Sequence, residues 1–174
     1  MRDFAPILPT GHAQTILSAF WPRRLDTVRY PIERTEVETE PGNRVVMKTQ
    51  FPETKPLGRL LLVHGLCGTA ESSYMRSLAA AGLAKGWIAH RLNLRGAEDT
   101  EHLCGTLYHA GLTADLHTIV PGFTDLPVVV VGYSLGGNVV LKFAGELGGR
   151  AKGTLAGVVA VSAPVDLGIC VETI

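Results

Sequence analysis

Apolar positions in this chain follow two periods, and the change between them divides the sequence. Ala13, Ile16, Leu17 and Phe20 fall at i, i+3, i+4 and i+7, one face of a short helix that Pro22 ends. Two extended stretches follow, 33–40 and 44–51, with Pro41-Gly42-Asn43 between them as a hairpin turn. Pro52 and Pro56 mark a surface loop. Beyond it, short apolar runs alternate with helical patterns. Runs 60–63, 87–94, 126–132 and 155–161 read as strands. Segments 71–85, 111–120 and 135–147 read as helices. Thr69 is the expected N-cap of the first of these and Gly86 its stop. Leu135, Val139, Phe143 and Leu147 set the buried face of the last, and Gly148-Gly149 ends it.

This βαβαβαβ order predicts an α/β fold: a mainly parallel sheet with helices on both faces and the hairpin added antiparallel at one edge. The organisation expected is an entry segment over 1–30 and one α/β domain over 31–174, running through the strand after the third helix of the alternating region. Ligand chemistry in such sheets collects at the carboxyl ends of the strands.

Composition narrows the partners. Hydrophobic residues make up 46% of the 174 residues and charged residues 18%, the balance of a globular chain. Sixteen basic residues against 16 acidic ones give no net charge. That argues against a nucleic-acid partner and gives no electrostatic pull to an anionic membrane. No run reaches the roughly 18 apolar residues of a transmembrane span. Cys67, Cys104 and Cys170 are odd in number and match no zinc spacing, so a reduced, cytoplasmic setting is expected.

The strand ends carry the chemistry. The valine strand runs into Gly132-Tyr133-Ser134-Leu135-Gly136, a G-x-S-x-G between strand and helix. Such a turn holds its serine in a strained conformation above the sheet, and the flanking glycines avoid collisions with backbone. Ser134 is therefore the expected nucleophile, and the Leu135 N–H an oxyanion donor at a helix N-terminus. His64-Gly65-Leu66-Cys67-Gly68 follows the first strand of the alternating region. Its expected part is the second oxyanion donor, the Leu66 N–H, with Gly65 allowing close approach. His64 is read as structural rather than as a base, and Cys67 as a loop residue rather than a nucleophile.

Arg95 is expected to anchor a loop through Asp99 or Asp115; a site for a substrate carboxylate is the alternative. His90 and His117 read as structural, whereas His102 and His109 are placed to reach the mouth of the site. Asp166, after the last strand, is either the catalytic acid or a cap on the next helix. All six histidines precede Ser134, so the Ser–acid–His order leaves no general base after it.

Together with Gly11-His12-Ala13-Gln14-Thr15, Leu94-Arg95-Gly96, Tyr108-His109-Ala110-Gly111 and 161–167, these motifs resemble the YheT-like branch of α/β-hydrolases. The resemblance runs from about residue 8 to residue 170. It implies an α/β-hydrolase fold lacking its last strands and helices, and an esterase or lipase-like hydrolase of small-molecule esters with no cofactor and no metal. It places the acid and histidine beyond the position corresponding to Ile174 and Asp166 in a structural motif. The chain alone is then expected to be near-inactive and to self-associate through an exposed apolar sheet edge. A non-catalytic binding protein and an acyltransferase are the rival readings.

Overall fold

The computed structural model describes residues 8–21, 25–151, 153 and 155–173. Among the described residues, six strands form one sheet in the order β1-β2-β4-β3-β5-β6. The strands are β1 (Glu33–Glu40), β2 (Asn43–Gln50), β3 (Gly58–Val63), β4 (Trp87–Asn93), β5 (Val128–Tyr133) and β6 (Gly157–Val161). β1 pairs with β2, and β2 with β4, antiparallel; β4, β3, β5 and β6 are parallel. The expected architecture is therefore present, hairpin edge included. Gly42, at φ 75°, makes its turn.

Side chains alternate between two cores. Leu61, Val63, Leu92 and Val130 pack with Val139 and Phe143 of α4 (Leu135–Leu147) and Leu116 of α3 (Ala114–Ile119). On the other face, Leu62, Ala89 and Val131 meet Met75, Ala79 and Leu83 of α2 (Ser73–Ala84). Leu25 and Tyr30, at the end of the expected entry segment, bury in this second core.

Several boundaries differ from expectation for identifiable reasons. α1 (Gly11–Phe20) is capped by Thr10, whose hydroxyl accepts the Ala13 N–H at 3.2 Å, but the expected stop at Pro22 lies outside the described residues. Thr69 does not cap α2. Its hydroxyl accepts the Glu71 N–H at 3.0 Å in a local turn, and the N-cap position belongs to Ser72. α3 starts three residues late because Leu112 N–H closes a turn onto the His109 carbonyl at 3.1 Å. β5 starts at Val128 because Pro127 has no N–H for the ladder. A fifth helix, α5 (Leu167–Thr173), follows β6.

Candidate active site

Ser134 sits between β5 and α4 at φ 50° and ψ −119°, a region non-glycine residues seldom occupy. The neighbouring glycines explain how the turn tolerates it. A Cβ on Gly132 would collide with the Gly136 carbonyl, and a Cβ on Gly136 with the carbonyls of Val63 and His64. α4 can thus begin directly against the end of β3. Ser134 N–H donates to the Val161 carbonyl at 2.9 Å, tying the turn to β6. Its side chain is exposed and bonds to no other described residue.

The backbone around this hydroxyl is polarised. Gly137 and Asn138 N–H both bond the Ser134 carbonyl, at 2.8 and 3.3 Å. The Leu135 N–H, in the first turn of α4, has no partner among the described residues. Opposite it lies the turn after β3. There Gly65 N–H donates to the Tyr74 hydroxyl at 3.2 Å, Cys67 N–H to the Tyr108 hydroxyl at 2.8 Å, and Gly68 N–H to the Gly65 carbonyl at 3.0 Å. Only the Leu66 N–H of these four amides is left without a described partner. A Cβ on Gly65 would stand 3.1 Å from that of Ser134, so the turn and the serine are in close approach.

Ser134 lines two clefts formed by described residues. One, of about 300 Å³, is shared with Gly65, Leu66, Tyr74, Tyr133 and Ser162. The other, of about 530 Å³, is walled by Leu66, Leu135, Pro164 and the apolar side chains of α5. Neither wall contains a histidine, and all six histidines lie among the described residues.

Four of the histidines are engaged elsewhere. His64 is fully buried, and its Nε2 accepts the Leu94 N–H at 3.1 Å. The proton must then be on Nδ1, which donates to the Gly65 carbonyl at 2.8 Å. Both nitrogens are occupied, and burial pushes the imidazole below its usual pKa. His90 Nε2 faces the Arg59 guanidinium at 3.1 Å and its Nδ1 the Thr49 hydroxyl at 2.9 Å. Burial, with Arg59 adding to it, lowers its pKa to about 3. His117 meets Glu146 at 2.9 Å, and His109 Nδ1 accepts the Gly111 N–H at 3.2 Å.

Asp166 stands outside both cleft walls. Its carboxylate accepts the Ile169 N–H at 3.1 Å and its carbonyl the Cys170 N–H at 3.1 Å, so it caps α5. Arg95 pairs with Asp115 at 2.6 Å rather than with Asp99, and also reaches Glu40 at 2.6 Å and Thr106 at 3.0 Å. Its guanidinium is spent on the protein, which removes the substrate-carboxylate alternative. Sequence reading missed Tyr74, Tyr133 and Ser162 as cleft residues. Ser162 had a signal, its place directly after a parallel strand; Tyr74 had none.

Comparison with known proteins agrees with this fold. A family model described as alpha/beta hydrolase fold matches residues 58–174. The chain is 29% identical to "Putative esterase YheT" of Escherichia coli (strain K12), over 98% of this chain and 49% of that protein. It is 27% identical to "Embryogenesis-associated protein EMB8" of Picea glauca, over 96% of this chain and 38% of that protein. The chain thus spans less than half the length of these relatives. The Pyrococcus furiosus esterase Pf2001 superposes with a TM-score of 0.65 at 19% identity, over 84% of this chain and 58% of that one. Among the described residues no helix is long and apolar enough to cross a membrane.

Proposed function

Since the chain belongs to the alpha/beta hydrolase fold family, we propose that it carries the nucleophile half of a carboxylic-ester hydrolase, with Ser134 as nucleophile. The observation that carries the proposal is the exposed serine at φ 50° beside two amides without a partner among the described residues, those of Leu66 and Leu135. The esterase in the name of the E. coli relative supports the choice of ester. The Ser134 Oγ attacks the ester carbonyl carbon as a base takes its proton. The carbonyl oxygen becomes an oxyanion held by the Leu66 and Leu135 N–H groups. Collapse expels the alcohol and leaves an acyl-serine, which water hydrolyses to the acid and free Ser134. His64 and Gly65 shape the donor loop, and Gly132 and Gly136 the serine turn. Asp166 serves as a cap, so neither acid nor base is assigned among the 174 residues. The thiols of Cys67, Cys104 and Cys170 are free, which supports a reducing, cytoplasmic setting.

The missing base favours a second statement about this chain by itself. With no histidine in either wall, Ser134 is an ordinary alcohol, and loss of the base in such triads costs on the order of 10^6 in kcat. The 174-residue chain then turns esters over at near-background rates. Intact mass after exposure to a fluorophosphonate tests both statements. An adduct formed once a base is supplied, and lost in Ser134→Ala, supports the nucleophile; an adduct that persists there refutes it. Ordinary esterase rates from the 174 residues alone would overturn the second statement.

A further inference from the structure

The turn that ends β3 is held by two tyrosines from opposite faces of the sheet. Tyr108 belongs to the core built on α3 and α4, Tyr74 to the core built on α2. Each hydroxyl oxygen accepts one amide of the turn, Cys67 at 2.8 Å and Gly65 at 3.2 Å. The two amides so removed are the immediate neighbours of Leu66. The rings are themselves fixed. Tyr108 meets the locked His64 imidazole edge to face at 5.6 Å, and Tyr74 packs on Tyr133 at 4.6 Å, next to Ser134. A Cβ on Gly68 would fall 2.5 Å from the Tyr74 hydroxyl, so that oxygen fills the crook of the turn. Cys67 is held at φ 54°, a strained value for its residue type. Strain of this kind persists only where the surroundings over-determine it, and the bond from Cys67 N–H to Tyr108 is at the strained residue itself.

We infer that Tyr74 and Tyr108 are positioning residues. They pin the amides on either side of Leu66 and leave its N–H as the donor the turn offers to an oxyanion. The inference rests on the reading of Ser134 above. Phenylalanine at either position keeps the ring and its packing and deletes only the acceptor. The freed amide then turns toward water, and the Leu66 N–H moves with it. A donor shifted by a fraction of an ångström is lost to the transition state more than to the ground state.

The test combines amide exchange on the 174 residues with kinetics on a form of the protein that hydrolyses esters. In the parent, Leu66 N–H exchanges fast and those of Gly65 and Cys67 slowly. Tyr108→Phe should raise Cys67 exchange at least tenfold, Tyr74→Phe that of Gly65, with the Val130 amide in the core unchanged. Unchanged exchange at Cys67 and Gly65 overturns the inference. In ester hydrolysis each variant should lose about tenfold or more in kcat with KM within twofold. A change confined to KM, or a rate that falls only with the folded fraction, overturns the positioning role. Ser134→Ala keeps the two ideas apart. If it leaves hydrolysis intact the nucleophile reading fails, while amide exchange still decides the clamp.

Discussion

The Nε2 of His64 accepts the Leu94 N–H at 3.1 Å, joining the ends of β3 and β4 through a side chain with no solvent exposure. His64→Ala removes the acceptor and leaves a buried amide unpaired, a loss of about 1–3 kcal/mol. Chemical denaturation would show it as a lower midpoint at unchanged slope. A variant of parental stability would mean that the Leu94 amide finds another acceptor.

His64 and His90 also set the response to acid. Both are held below the ordinary 6.5, His90 at about 3. The unfolded chain therefore binds protons that the folded chain refuses. Their contribution is fully present above about pH 6.5 and is lost as pH falls through each folded value. For His90 the slope approaches about 1.4 kcal/mol per pH unit within that window, and His64 acts in the same direction. Denaturation midpoints measured between pH 7 and pH 4 should fall steadily. His90→Phe should flatten the curve, and an unaltered slope would show that His90 titrates normally.

Two glycines on one helix should respond in opposite ways. Gly136 abuts the Val63 and His64 carbonyls, so Gly136→Ala forces α4 away from β3 and destabilises the chain by several kcal/mol. Gly145 lies in the same helix with nothing within 4 Å of an added Cβ. Gly145→Ala should stabilise by about 0.5–1 kcal/mol through helix propensity. Thermal melts of the pair provide the check, and equal effects would contradict the close packing at the serine turn.

Arg95 and Asp115 are 2% and 1% exposed and pair at 2.6 Å, with the Thr39 hydroxyl donating to the same carboxylate at 2.6 Å. Removing Arg95 strands the buried Asp115 carboxylate, a cost of about 3–5 kcal/mol, whereas removing Asp115 leaves Arg95 its Glu40 partner at 2.6 Å. Arg95→Met with Asp115→Leu should cost clearly less than the two single losses added together. Strict additivity in a double-mutant cycle would mean that the pair is not coupled.

The alternation of apolar runs was enough to read the sheet, because β3, β4 and β5 are buried on both faces and the helices packed on them keep a 3.6-residue stripe. The serine turn was legible for a local reason: strand, glycines and helix are contiguous around Ser134. The choice between Asp99 and Asp115 was not legible. Asp99 sits in a turn at φ 59°, whereas α3 carries Asp115 under β1, and only the folded chain brings Arg95 to it. Tyr74 and Tyr108 were hidden for a similar reason. Their partners are backbone amides 9 and 41 residues away, and amides leave no mark on a side-chain pattern.

The edge formed by β6 gives the last prediction. β6 is outermost in the sheet beside β5, and Val159 and Val161 are 47% and 38% exposed. On α5, Leu167, Ile169 and Val171 extend the apolar surface. An uncovered strand edge next to apolar side chains templates pairing with another chain. We therefore expect the 174-residue chain to associate with itself as its concentration rises. Val159→Lys should weaken that association, since a charge on an edge strand opposes pairing, while leaving the core beneath β5 unaffected. Sedimentation velocity over a hundredfold concentration range would decide. A single monomeric species for the parent at every concentration would refute the expectation, and association unchanged by Val159→Lys would place the contact elsewhere.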